Sequence, residues 1–268
     1  MFPALCLRVV SQKTRSARAI ALVNLKEPNC AVTPPKRSTC AGFLFALITL
    51  FSLAPQTTAQ TCSGPGKERW PVKTSLAAPV TANQAKAIKL SDLLALELPP
   101  GVKHNDARYA DARIPSFSNS LGEKEGDLIT TTGWLYLVAL ESDDCDYHIQ
   151  ISPESRTTTN KPTPADNCII VEAPRQDFVN DPDLKQRVST IRSYIQAKIM
   201  HGTKEPAHAG SVMIHAVCVQ VTGALFYDDA HVGKNGPELR GKRGMSSKTL
   251  WELHPLTSFQ IVPPANCQ

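Results

Sequence analysis

The sequence has no Cys-x-x-Cys pair, no Gly-x-Ser-x-Gly turn and no apolar run long enough to span a bilayer as a helix. The first absence excludes a zinc ribbon and a thioredoxin-type redox site. The second excludes the nucleophile elbow of a serine hydrolase. Basic charge is scarce where nucleic-acid binding would need it. The chain carries 29 Lys+Arg against 24 Asp+Glu, a net +5. Residues 1–59 hold Arg8, Lys13, Arg15, Arg18, Lys26, Lys36 and Arg37 against Glu27 alone, a charge of +6, while the 22 basic and 23 acidic side chains beyond them give −1. A general grip on the phosphate backbone needs a basic domain or stripe, and residues 60–268 have no such excess.

The uneven charge has a reason. Lys36 and Arg37 precede an uncharged, largely apolar run from Ala41 to Ala54, and Thr57-Thr58-Ala59 supplies small residues for cleavage. That order is the layout of a secretory signal peptide, expected over about residues 36–59, and it implies a periplasmic or secreted protein. The residues ahead of Lys36 exceed what such a signal needs. Translation is therefore expected to begin downstream, and Val32 is a candidate GUG start. Cys62 lacks the Leu-plus-small-residue pattern that precedes a bacterial lipidation site.

Export changes how the cysteines read. Cys6, Cys30 and Cys40 leave with the leader, and Cys62, Cys145, Cys168, Cys218 and Cys267 remain. In an oxidising compartment this odd set allows at most two disulfides and leaves one thiol, with the pairing open. Cys218, inside the apolar run VMIHAVCVQV, reads as a small buried residue.

Residues 60–126 show little regular pattern, with prolines at 65, 71, 79, 99, 100 and 115 and one short amphipathic piece, IKLSDLLALEL. They read as an irregular N-terminal extension lying over a domain at 127–268. There, DLITTTGWLYLVALE predicts a long first strand whose interior Gly133 marks a bulge or bend. DYHIQIS and NCIIVEAP predict the second and third strands. Asp181 suits a helix N-cap and Pro182 the first helical position. Leu184, Val188, Ile191, Ile195 and Ile199 then recur at helical spacing up to Gly202. SVMIHAVCVQVTG and TLWELHPLTSFQIV complete the set. The order β-β-β-α-β-β, with a long bent first strand, is that of a mainly β, five-stranded OB-fold-like barrel.

ERWPVKT, GWLYLVALESDDCDYHIQI, CIIVEAP, VTGALFYDDAH and WELHPL together resemble a family of exported bacterial OB-fold-like proteins of uncharacterised function. The resemblance covers most of residues 67–262. It implies the barrel and the export, and it brings no activity. The chain departs from that pattern in a long basic insertion before WELHP and in Cys145, where the family pattern has a glycine.

An acid two positions before a histidine occurs three times, in Asp146/His148, Asp229/His231 and Glu252/His254, where seven histidines among 24 acids in 268 residues should give roughly 0.6 by chance. Residues two apart on a strand share a face, so each pair can set an imidazole beside a carboxylate. In the proposed barrel all three pairs, and Glu172, lie at the loop end. Tyr147, Ile149 and Ile151, like Trp251 and Leu253, take the apolar parity and leave the acid–histidine parity exposed. Three readings follow: solvated strand ends, a divalent metal site of the zinc type built from Asp146, His148, Glu172, His231, Glu252 and His254, or acid–base catalysis. A thermonuclease-like site would also need an arginine on the third strand and a Thr-Pro-Glu segment, and neither is there.

The stretch HVGKNGPELRGKRGMSSK adds Lys234, Arg240, Lys242, Arg243 and Lys248 against Glu238, a local +4, with glycines that let backbone amides approach an anion. Lys234, Arg240, Lys242 and Arg243 are the candidate contacts of an unknown ligand, anionic or saccharide-like. The sequence thus points first to an exported binding domain, next to a metal-assisted hydrolase, and third to a structural envelope protein. The one cofactor the sequence suggests is that divalent metal, of the zinc type.

The signal-peptide layout generates one prediction: the mature chain begins near Gln60. N-terminal sequencing of protein from the native host checks this, and a start at Met1 would remove the argument for export.

Overall fold

The structure, a computed structural model, describes residues 62, 64, 68–80, 84–155, 167–234, 236–238, 240–243 and 245–267. The expected signal-peptide segment, about residues 36–59, lies outside the described residues. Eight strands are present among them: β1 (Lys86–Ala87), β2 (Leu128–Leu140), β3 (Tyr147–Ser152), β4 (Cys168–Ala173), β5 (Ser211–Tyr227), β6 (Val232–Gly233), β7 (Gly236–Pro237) and β8 (Ser247–Ile261). The helices are α1 (Trp70–Lys73), α2 (Leu90–Leu94) and α3 (Pro182–Tyr194), and α3 continues as a π-type turn over Ile195–Ile199.

The main sheet runs β1-β2-β3-β4-β8-β5, and β5 pairs again with β2, so the five long strands close into a barrel with β1 as an outer strand. The β4–β8 pair is parallel and the other barrel pairs are antiparallel. A closed five-stranded barrel with its one long helix between the third and fourth barrel strands is OB-fold-like, as the element order predicts.

Alternation decides which side chains fill the barrel. Ile129 and Leu135 of β2, Tyr147, Ile149 and Ile151 of β3, Ile169 and Val171 of β4, and Trp251 and Leu253 of β8 are buried in one core. The register of β2 slips between Leu135 and Leu137, so the bulge falls at Tyr136 rather than at Gly133. Gly133 serves a different purpose. A Cβ there would stand 2.6 Å from Leu90 Cδ2 and 3.2 Å from the Ser152 carbonyl oxygen, so the missing side chain lets α2 approach β2. Leu90, Leu93, Leu94 and Leu96 accordingly join the barrel core, and the N-terminal extension is part of the fold.

Helix α3 begins as the sequence predicts, with Asp181 accepting from the Leu184 N–H at 2.7 Å. Its apolar face divides. Ile191, Ile195 and Ile199 pack in the barrel core, whereas Leu184 and Val188 form a smaller cluster with Val179.

Two disulfides, Cys62–Cys145 and Cys218–Cys267, tie the extension and the C-terminal turn to the barrel. Cys218 is therefore a cross-linked residue rather than a thiol. Cys168, outside both bridges, donates to the Ser246 carbonyl oxygen at 3.1 Å. Cys145 has φ +61°, in the left-handed region that suits glycine, and its bridge to Cys62 accompanies that conformation. Among the described residues no helix is long and apolar enough to cross a membrane.

One buried guanidinium fastens the extension. Arg69 donates to both Glu125 carboxylate oxygens at 2.7 Å and to the carbonyl oxygens of Tyr109, Ala112 and Tyr227 at 3.0, 2.9 and 2.8 Å. Five acceptors match the five N–H groups of the fork. Arg69→Met would leave the buried Glu125 charge unpaired. Chemical denaturation should show a loss of about 3–5 kcal/mol, and a loss below about 0.5 kcal/mol, the level of an ordinary surface change, would show that the pair is not an anchor.

Candidate functional site

The strand parity that turns away from the core carries the polar residues singled out above. Cross-strand register aligns them. His148 of β3 faces Glu172 of β4. Ile170 and Val171 of β4 lie beside Glu252 and Leu253 of β8 in parallel register, which carries Glu172 to His254. The result is a row, His148–Glu172–His254, across three adjacent strands.

This face is not the solvated surface that alternation implies. Asp146 and His254 are 0 % exposed, Glu252 1 %, and His148 and Glu172 5 %. Gln150, on the same parity, is also buried. The cover comes from far along the chain. Gln150 Nε2 donates to the Met245 carbonyl oxygen at 3.1 Å, and its Oε1 accepts the Lys242 N–H at 2.8 Å. Helix α1 brings Lys73 over the opposite part, with Nζ 3.4 Å from Glu68 and 4.0 Å from Asp144.

The i, i+2 pairs share a region, but none pairs internally. His148 Nδ1 lies 3.0 Å from Glu172 Oε1 and 3.1 Å from Glu141 Oε1. Asp146 instead meets His254, Oδ2 to Nε2 at 3.2 Å, and His254 Nδ1 is 3.2 Å from Glu172 Oε2. His231 binds Asp228 at 2.8 Å, while Asp229 turns away to accept the Asp106 N–H. Glu252 is paired with Arg240 at 2.6 Å.

The basic stretch is placed differently from the lip expected to hold an anion. Arg240 reaches both Asp228 and Glu252, and Lys242 Nζ is 2.9 Å from Glu141. Both therefore neutralise the acidic face. Arg243 donates to the Gly210 carbonyl oxygen, and Lys234 is exposed.

A cavity of about 340 Å³ opens beside the row. Glu68, Glu141, Asp143, Asp144, Glu172 and Glu252 line it against Lys73, Arg240 and Lys242, with His148 and His231. Six carboxyl groups thus face three fixed cations and two imidazoles. Glu141, Asp144, Asp228 and Lys73 were not among the residues singled out from the sequence. Glu141 had a readable signal, as the first acid after the apolar run of the long first strand. Lys73 had none, because it lies in a segment of little pattern.

The charges perturb one another. Burial would push His148 down, but the carboxylates of Glu141 and Glu172 outweigh it and raise the imidazole to about 9. For His254 burial is outweighed by Asp146 and Glu172, again giving about 9. Burial would raise Glu172, yet the neighbouring imidazoles of His148 and His254, with the Lys73 charge, hold it well below the usual carboxylate range. Asp144 is pushed up to about 7 by burial and then by the Asp146 charge. Burial likewise raises Glu252, with Glu172 adding to it. Lys73, which burial alone would lower, is held charged above its ordinary value by Glu172, Glu252, Glu68 and Asp146.

Fold and site together define an OB-fold-like barrel with a buried acid–histidine face beside a polar cavity. No protein-family model matches the chain, and no curated protein matches it.

The raised imidazoles predict a pH dependence for the metal-free protein. A folded-state pKa near 9 against an ordinary 6.5 gives stability that is full below about 6.5 and is lost as pH rises through about 9. Asp144, raised to about 7, and the raised Glu252 lose stability in the same direction as pH rises, so the contribution of the histidines is read from the difference that Glu172→Gln makes. Denaturant unfolding with chelator present should show stability falling from about pH 7 to about 9. Glu172→Gln should flatten the fall, and an unchanged slope would remove Glu172 as the shared partner.

Proposed function

We propose that the chain is an exported OB-fold-like binding domain whose ligand at the acid–histidine face is a divalent cation of the zinc type, held by Glu141, His148 and Glu172. The observation that carries this is the setting of His148. Its Nε2 lies 3.3 Å from Gln150 Oε1, an atom identified as the oxygen because it accepts the Lys242 N–H. Nε2 therefore carries the proton, and Nδ1 is the nitrogen turned to the two carboxylates. One nitrogen and two carboxylate oxygens, all within 4.8 Å of one another, form a donor set that zinc accepts. Bonds of 2.0–2.2 Å to a tetrahedral ion set ligand atoms roughly 3.3 Å apart, so the spacings of 3.0 and 3.1 Å need little adjustment. An imidazole whose other N–H is held by a carbonyl oxygen is the usual support for such a ligand.

The excess of carboxylates in the cavity favours a cation over the anionic or saccharide ligand suggested by the basic stretch, since Arg240 and Lys242 already face acids. The two disulfides agree with an oxidising, exported location. Metal-assisted hydrolysis is the second reading. Three protein ligands beside an open cavity leave a position for water, the arrangement of catalytic zinc sites.

Calorimetric titration of the chelator-stripped protein with zinc should show a binding event that His148→Ala removes. Gln150→Ala, which removes the partner of Nε2, should weaken it about 10–100-fold. Equal binding by wild type and His148→Ala, or none by either, would return Glu141, His148 and Glu172 to an ion-pair network. Turnover of an activated ester by zinc-loaded wild type and not by His148→Ala would move the reading from binding to hydrolysis.

A further inference from the structure

We infer that a second cation site lies behind the first, formed by one nitrogen of His254 and one oxygen each of Asp146 and Glu172, so that Glu172 bridges two ions. The second donor set is as compact as the first, its three ligand atoms lying within 4.8 Å of one another. The state of its polar atoms leaves room for a ligand. Asp146 Oδ2 and both ring nitrogens of His254 are buried and have no hydrogen-bond partner among the described residues. They nevertheless lie 3.2 Å from oppositely charged atoms, Nε2 from Asp146 Oδ2 and Nδ1 from Glu172 Oε2. The groups thus converge at the right distance but outside hydrogen-bond directions. Buried polar atoms are nearly always satisfied, and an ion among them would satisfy them without requiring those directions.

The surroundings hold the set in place. Asp146 Oδ1 accepts the Arg175 N–H at 3.0 Å, which fixes the carboxylate and leaves Oδ2 for the site. The edge of the Phe226 ring packs against the His254 imidazole, centroid to centroid 5.8 Å. The two nitrogens of one imidazole point apart, so a single ion takes only one of them. Glu172 has one oxygen toward each histidine, Oε1 toward His148 and Oε2 toward His254. That is the geometry of a bridging carboxylate. The bridge rests on the cation reading of the outer set, whereas the inner set stands on its own unpaired atoms.

The two sites differ in access. Glu141, His148 and Glu172 line the cavity, while Asp146 and His254 do not. The inner ion would be enclosed by protein, and the outer one would face the cavity. Nitrogen and carboxylate donors suit a zinc-type divalent ion in both.

The test is zinc content by mass spectrometry after chelation, reloading and desalting of the folded protein, with circular dichroism as the check of fold. Wild type should retain two zinc ions per chain. Asp146→Asn and Glu141→Gln should each retain one, by loss of the inner and the outer ion respectively. If Asp146→Asn fails to fold, His254→Gln replaces it. One zinc in wild type, lost in Glu141→Gln and kept in Asp146→Asn, overturns the inner site and leaves the outer reading standing. One zinc lost only in Asp146→Asn overturns the outer reading and the bridge while keeping the inner site. No zinc in wild type overturns both.

Discussion

The arrangement of this protein depends on the buried Arg69 guanidinium. Its five N–H groups meet five acceptors drawn from Glu125, the extension and the end of β5, so the segment from 69 to 73 has one position on the barrel. That position sets α1, and α1 sets Lys73 over the acid–histidine face. The same guanidinium lies 5.0 Å from the centroid of the Phe226 ring, and Phe226 packs edge-on against His254. The anchor of the extension and the wall of the inner donor set are therefore one packed unit. An ion pair this deep gives little net stability compared with apolar residues of equal volume. What it gives is geometry, because an unpaired Glu125 could not stay where it is.

The barrel itself does not need the polar face. Its core is filled from the other strand parity and from the leucines of α2, and closure follows from strand pairing alone. The polar parity of β3, β4 and β8 is instead enclosed by segments remote in sequence, α1 and residues 240–243 and 245–246. Enclosure lowers the local dielectric, so each charge there is felt more strongly and each missing partner costs more. The raised Asp144 and Glu252 carboxyls show the effect, since burial and neighbouring acids both disfavour their charged forms.

This division explains what was legible in the sequence. Alternation in YHIQIS, CIIVEA and TLWELHPL identifies the core face of each strand, because one residue type fills one side throughout. The same alternation labels Asp146, His148 and Glu252 as solvent-facing, which is wrong for a local reason. Parity says which side of a strand a residue takes, and nothing about what later covers that side. It also cannot name a neighbour. Asp146 shares parity with His148 but meets His254, because contacts across a sheet follow register between strands far apart in the chain. Gly133 shows a milder form of this limit. An interior glycine announces a requirement for space, and only the fold reveals that Leu90 of α2 occupies it. Lys73 could not be read at all, since its importance comes from where Arg69 places it.

The basic insertion is best understood from the acids it meets. Read alone, Arg240 and Lys242 form part of a cationic lip. In the fold they approach Asp228, Glu252 and Glu141, and with Lys73 they offset half of the carboxylates that line the cavity. The offset is incomplete, so the remaining negative charge must be met by protons on the histidines and raised carboxyls, or by bound cations. These alternatives compete for the same atoms, because His148 Nδ1 cannot hold a proton and ligate an ion at once. Proton and cation occupancy are thereby linked, and whichever binds the folded state more strongly adds to its stability. A face that is costly to bury and unnecessary for closing the barrel gains a physical rationale if an ion completes it.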